Sequence, residues 1–200
     1  MVLLTKYFIN PQYLLRSVLN DAAAAFARTG SIQLHNFLIP DVAQTLAKQL
    51  SNIPLKEHYV PDQYRCHEPA HIPALAKKLQ RVLATTHEVR DILSIITRKK
   101  VTYKESCLCA YVRGDYTLLH DKLKEPAGTD VIIDLTPRWD NRACGHHSYV
   151  DGNGNEIVRS SAAFNTLTIV RRPANAMKFV KYVNHHAGTD KRFVLEARFT

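Results

Sequence analysis

The sequence contains no apolar run approaching the roughly eighteen residues that a membrane-spanning helix needs. The opening Met1-Val-Leu-Leu-Thr-Lys6 is too short to be the apolar region of a secretory signal. There is no low-complexity stretch and no internal repeat, which excludes solenoids and arrays. Cysteine is scarce: four residues in 200 make no disulfide framework, and the absence of any Cys-x-x-Cys pair argues against a zinc ribbon or finger. Cys107 and Cys109 are two apart in a strand-like segment and share a face, while Cys66 and Cys144 are isolated. The chain thus reads as one soluble, cytoplasmic domain with reduced thiols.

What is present is a basic surface. The formal net charge is +9 at pH 7, a balance that favours anionic partners such as nucleic acid, ribonucleoprotein or small acids. The cations are scattered, apart from Thr97-Arg-Lys-Lys100 and Arg171-Arg172, and aromatics are not interleaved with them as a base-stacking platform would require.

The hydrophobic period changes once along the chain. Asn10-Pro11 opens a helix whose apolar residues Leu14, Leu15, Val18, Leu19, Ala22 and Phe26 keep helical spacing, and Thr29-Gly30 stops it. Residues 31–38 alternate as a strand, Pro40-Asp41 begins a second helix, and the Pro- and His-rich stretch from Pro54 to Pro73 reads as loop. Two further helical segments cover residues 74–84 and 88–96. From Val101 onward seven short strands follow, near 101–112, 116–120, 131–135, 147–150, 163–170, 179–183 and 193–199, separated by polar turns. The expectation is an α+β domain over residues 1–200, with residues 1–100 as a mainly helical brace and 101–200 as a β-barrel core.

Five blocks in this order carry a family resemblance. Gly30-Ser-Ile-Gln-Leu-His-Asn-Phe-Leu-Ile-Pro-Asp41 is similar to the strand-then-helix entry of prolyl-hydroxylase-type oxygenases. Tyr111-Val-Arg-Gly-Asp-Tyr-Thr-Leu-Leu-His120 resembles their approach to the first metal ligand. Asp130-Val-Ile-Ile-Asp-Leu-Thr136 with Trp139, Phe164-Asn165-Thr-Leu-Thr-Ile169 and Arg192-Phe-Val-Leu-Glu-Ala197 resemble three later strands. The resemblance is to the 2-oxoglutarate/Fe(II) oxygenases, and it implies a double-stranded β-helix, a jelly-roll or cupin-like barrel. It also implies Fe(II) as cofactor, 2-oxoglutarate as cosubstrate and ascorbate as auxiliary reductant.

That family holds iron on His-x-Asp/Glu and a later His, since alternate residues of a strand share a face. Here His120 matches the first ligand, but Lys122 stands two residues on, and Asp121 reaches the metal only if a bulge or turn re-aims it. The family's distal-His pattern falls on Lys178-Phe-Val180-Lys-Tyr-Val183, placing Lys178 at the ligand position, with His185 and His186 just beyond. With Ala187–Asp190 as a hairpin turn, His185 would face Arg192, the residue at the place of the family's 2-oxoglutarate anchor. The resemblance therefore implies iron at His120, Asp121 and His185, and 2-oxoglutarate at Arg192 and Tyr111. His146 and His147, at the entry to the 147–150 strand, read as alternative ligands or as exposed loop histidines, and Cys66-His67-x-x-x-His71 reads as loop rather than a zinc site because a fourth ligand is not evident.

Two functions follow. The first, to which the weight of the resemblance leans, is a dioxygenase hydroxylating a protein side chain, a peptide or a small molecule. The other keeps the fold without iron, as a non-catalytic binding or scaffold module with a basic surface, and Lys122 favours it. A halide-binding variant fits less well, because it needs a small residue where Lys122 stands.

Overall fold

The structure is a computed structural model and describes residues 6–119 and 126–200. Four of the helices described build its N-terminal half. A 3-10 turn, Pro11–Leu14, is capped by the Asn10 side chain, which accepts from the Gln12 amide. Leu15 is extended (φ −83°, ψ 125°), so the expected single helix is split, and α1 runs Arg16–Thr29. Gly30, at φ 73°, closes α1 by donating to the Phe26 carbonyl at 2.8 Å, a backbone conformation that favours glycine. Helix α2 spans Pro40–Ser51 with proline in its first turn. Helices α3 (Ala74–Thr85) and α4 (His87–Thr97) are separated by Thr86, whose hydroxyl donates back to the Val82 carbonyl. None of the helices described is long and apolar enough to cross a membrane.

Eleven strands follow in chain order: β1 Ser31–His35, β2 Leu55–Val60, β3 Tyr64–Pro69, β4 Tyr103–Tyr111, β5 Tyr116–Thr117, β6 Gly128–Asp134, β7 His147–Val150, β8 Glu156–Ser160, β9 Thr166–Arg172, β10 Met177–Val180 and β11 Arg192–Phe199. The stretch read as loop between Pro54 and Pro73 is instead the hairpin β2–β3, which turns through Asp62 at φ 57°. Neither strand carries an apolar face, because the hairpin lies at the margin of the sheet, and its alternation is therefore invisible in hydrophobicity. Strand β8 was missed for the same reason.

The strands form two antiparallel sheets. The larger runs β1-β9-β6-β11-β4-β3-β2, with β5 beside β3, and the smaller runs β10-β7-β8. From β6 the chain crosses to β7 and β8 of the smaller sheet, returns in β9, crosses again in β10 and returns in β11, the double-stranded β-helix expected from the sequence. The period of two then sorts side chains between two environments. Val131, Ile133, Leu167, Ile169, Phe193, Leu195, Ala197 and Phe199 face outward and join the helices in one apolar core with Phe26, Leu46, Leu79 and Leu93. Their neighbours in sequence face the smaller sheet. There Tyr111, Ile132, Val170 and Val194 meet Tyr149 and Val180 in a second, smaller cluster. Charged groups share this inner space, and the helical brace holds the strands that carry them.

Candidate functional site

Three polar nodes occupy the space between the sheets. At the first, Arg192 opens β11 and is fully buried. Its Nε donates to Asp134 Oδ2 at 2.9 Å, Nη2 lies 2.9 Å from the same oxygen, and Nη1 donates to the Gly145 carbonyl. Gly145 has φ 69°, and a Cβ there would lie 2.9 Å from the Val183 side chain, so the close approach of this loop requires glycine. The Trp139 indole fixes the same loop by donating to the Cys144 carbonyl. In the ladder Arg192 stands opposite Tyr111.

The second node is centred on Glu196 of β11. Its Oε2 receives Lys178 Nζ from β10 at 2.5 Å, and its Oε1 receives the Tyr111 hydroxyl at 3.0 Å and His147 Nε2 from β7 at 2.8 Å. The His147 and Tyr111 rings meet edge to face. Burial pushes the Glu196 carboxyl up, but Lys178 and His147 together outweigh it and hold the group well below its ordinary value. Burial likewise opposes the Lys178 charge, and Glu196 with Asp130 overcomes it, keeping the ammonium protonated. For His147 burial wins over Glu196, so its pKa is lowered and the ring is neutral. With Nε2 donating to Glu196, the other ring nitrogen, Nδ1, has no hydrogen-bond partner among the described residues.

At the third node Asp130 of β6 accepts from Arg172 Nη1 at 2.6 Å and from the Tyr149 hydroxyl at 3.0 Å. Arg172 Nε donates to the Pro126 carbonyl. Each buried carboxylate, Asp134, Glu196 and Asp130, thus has its own buried cation, Arg192, Lys178 and Arg172. Charge in the interior is compensated pair by pair.

The residues expected at iron and 2-oxoglutarate are distributed differently. His120 and Asp121 lie outside the described residues. His185 is on the 3-10 turn His185–Ala187, exposed, with its ring 4.3 Å from that of His186. The hairpin that would have set it opposite Arg192 is not formed; the turn takes its place, and Arg192 has Tyr111 as its strand partner. Arg192 and Tyr111 are brought together in the interior as the resemblance implied, but each is engaged with a carboxylate of the protein itself. His147, one reading of which is an exposed loop histidine, is instead wholly buried on β7, and Lys178 points inward to Glu196. His67, also read as loop, sits on β3 and bonds the buried Asp115 at 2.9 Å. The signal available in the sequence was a charge at the inward phase of an apolar strand, as in Asp130-Val-Ile-Ile-Asp134 and Phe193-Val-Leu-Glu196.

The described residues alone do not assemble the family's iron site. Lys178, one of the three positions the resemblance offers for the distal ligand beside His185 and His186, is an ammonium with no lone pair to give a metal. Among the described residues no three His, Cys, Asp or Glu side chains are grouped to hold an ion. The Arg192 guanidinium is held by Asp134 through Nε and by Gly145 through Nη1, while its Nη2 makes no hydrogen bond among the described residues.

A model of the family described as oxoglutarate and iron-dependent oxygenase degradation C-term matches residues 73–200. Among solved structures, the chain is similar to an oxidoreductase of the 2OG-Fe(II) oxygenase family from Burkholderia pseudomallei. The TM-score is 0.63 and the identity 13%, over 91% of this chain and 90% of that one. A Pseudomonas putida prolyl-4-hydroxylase gives a TM-score of 0.58 and 16% identity over 90% and 97% of the two chains. A Trichoplax adhaerens prolyl hydroxylase, solved with a hypoxia inducible factor oxygen degradation domain peptide, gives 0.62 and 12% over 92% and 89%.

Proposed function

Because the chain belongs to the oxoglutarate and iron-dependent oxygenase degradation C-terminal family, we propose that it keeps the oxygenase barrel as a non-catalytic binding or scaffold module with a basic surface. One observation carries this reading: the 2.5 Å ion pair between Lys178 and Glu196 inside the barrel, Lys178 being one of the positions the resemblance offers for the distal ligand. A cation there repels a metal ion, and the carboxylate beside it is already neutralised. The partner class is a protein or ribonucleoprotein of opposite charge, drawn by the net charge of +9.

A second reading draws on the pairing of Arg192 with Tyr111. It is a dioxygenase acting on a protein, peptide or small molecule, with His120, Asp121 and His185 at Fe(II) and Arg192 and Tyr111 at 2-oxoglutarate.

The two readings part on anaerobic addition of Fe(II) and 2-oxoglutarate to the full chain. The module reading expects no visible charge-transfer band, no iron retained after desalting by elemental analysis, and no calorimetric heat from 2-oxoglutarate. A band with stoichiometric iron, lost in His120→Ala, would establish the oxygenase reading instead.

A further inference from the structure

Cys107 and Cys109 lie on the inner face of β4, and their sulfurs are 3.3 Å apart. Cys107 is exposed and stands opposite Glu196 in the ladder; Cys109 is half-buried, opposite Val194, against the inner apolar cluster. Nothing in the barrel network uses either thiol. We propose that this pair is a reversible thiol–disulfide site that exchanges with low-molecular-weight disulfides, independently of whether the barrel binds iron.

The geometry supports both halves of that statement. The sulfurs are already in contact, but alternate residues of a strand hold their Cβ atoms farther apart than the roughly 3.5–4.5 Å a disulfide takes, so bonding requires a local distortion of β4. Two residues apart on a strand, the Cα atoms are about 6.4–6.8 Å apart, at the far edge of the range of about 4.4–6.8 Å that disulfides accept. A bond made there is strained, and strained or exposed disulfides are the easily reduced ones. The exposed Cys107 meets the reagent first. Its thiolate attacks one sulfur of the small disulfide, that S–S bond breaks, and one small thiolate leaves and takes up a proton. Cys109, 3.3 Å away, then gives up its proton and attacks the Cys107 sulfur of the mixed disulfide, expelling the second small thiol. The dithiol loses two electrons and two protons, and the small disulfide is reduced to two thiols. Burial and the shared hydrogen bond hold the Cys109 thiol high, so the second step needs the sulfurs to be in contact. Lys178 partly offsets that cost. Cys66, half-buried against the same inner cluster and pushed up to about 11 by burial and Asp115, is the competing thiol.

The experiment equilibrates the folded full chain with mixtures of reduced and oxidised glutathione, alkylates the remaining thiols, and reads intact mass and peptide maps. Wild type is expected to lose two alkylatable thiols together, with a Cys107–Cys109 bond and no glutathione attached, and to regain both in excess reduced glutathione. Cys109→Ser is expected to stop as a single glutathione adduct on Cys107, and Cys107→Ser to carry none. Cys66→Ser and Cys144→Ser should behave as wild type. Because the wild-type measurement needs no substitution, a misfolded variant cannot obscure it. A stable glutathione adduct on wild-type Cys107, a bond to Cys66, or no oxidation at all would overturn the proposal.

Discussion

Glu196 is one negative charge in a strand whose other inward residues include Arg192 and Val194, and its fate is decided by three side chains from three different strands. Removing its cation leaves a carboxylate buried beside a tyrosine and a neutral histidine. Lys178→Met is therefore expected to cost about 3–5 kcal/mol of folding stability, while the double variant Lys178→Met/Glu196→Gln should recover most of it. Acid should act on the same node. The folded pKa of His147 lies below its unfolded value of about 6.5, so its contribution is complete above that pH and is lost as pH falls. Glu196 is held well below the ordinary carboxylate value of about 4.3, so its contribution is lost only on further acidification through its lower folded pKa. Urea unfolding of wild type should thus weaken below about pH 6.5 and again near the carboxylate range, and Glu196→Gln should flatten the second fall. A flat curve in wild type would mean that the ring and carboxylate are solvated. None of this was legible as a site in the sequence. Lys178 was visible as a departure from a motif, but its partner Glu196 is 18 residues away and appears only when β10 and β11 face each other.

Elements were more legible than contacts wherever one face of a strand or helix is apolar. β7 and the two helices after Pro73 matched their patterns closely, and β4, β6, β9 and β11 were found with shifted ends. The hairpin β2–β3 and strand β8 were missed, since pattern reading depends on burial asymmetry and these strands have little. What joins the elements is also local chemistry. Asn165, just before β9 at φ 53°, accepts from the Leu38 amide and donates to the Leu38 carbonyl, both at 2.8 Å. Its own carbonyl accepts from Phe37, and its amide donates to Asp134. One side chain thus fastens the link between β1 and α2 to the larger sheet. Asn165→Ala should cost about 2–4 kcal/mol, because two buried backbone groups lose their partner. Asn165→Asp should cost at least as much, since its carboxylate still accepts from the Leu38 amide but buries an unpaired charge against the Leu38 carbonyl. A loss below about 1 kcal/mol for Asn165→Ala, by thermal or urea unfolding, would show that the backbone conformation matters more than the clamp.

At the scale of the molecule, two kinds of interior lie on opposite faces of one sheet. The face under the helices is chiefly apolar, and the face toward the smaller sheet is held by three compensated ion pairs. An ionic interior contributes little net stability compared with apolar packing, so the stability of the barrel rests on the helical side. That side draws heavily on residues preceding the family match at residue 73: Phe8, Ile9, Tyr13, Phe26, Phe37, Leu46 and Leu50 are all in the same core as Leu195 and Phe199. Strand β1 also covers the edge of β9 from Thr166 to Val170. A fragment of residues 73–200 would therefore expose the outer sides of β6, β9 and β11, together with an unpaired edge strand, which is an aggregation-prone arrangement. The expected outcome is a fragment that elutes as aggregates in size exclusion and lacks a cooperative thermal transition, while the full chain melts in one step. A monomeric fragment with a sharp transition would show instead that the barrel carries its own stability and that the N-terminal helices are an accessory layer.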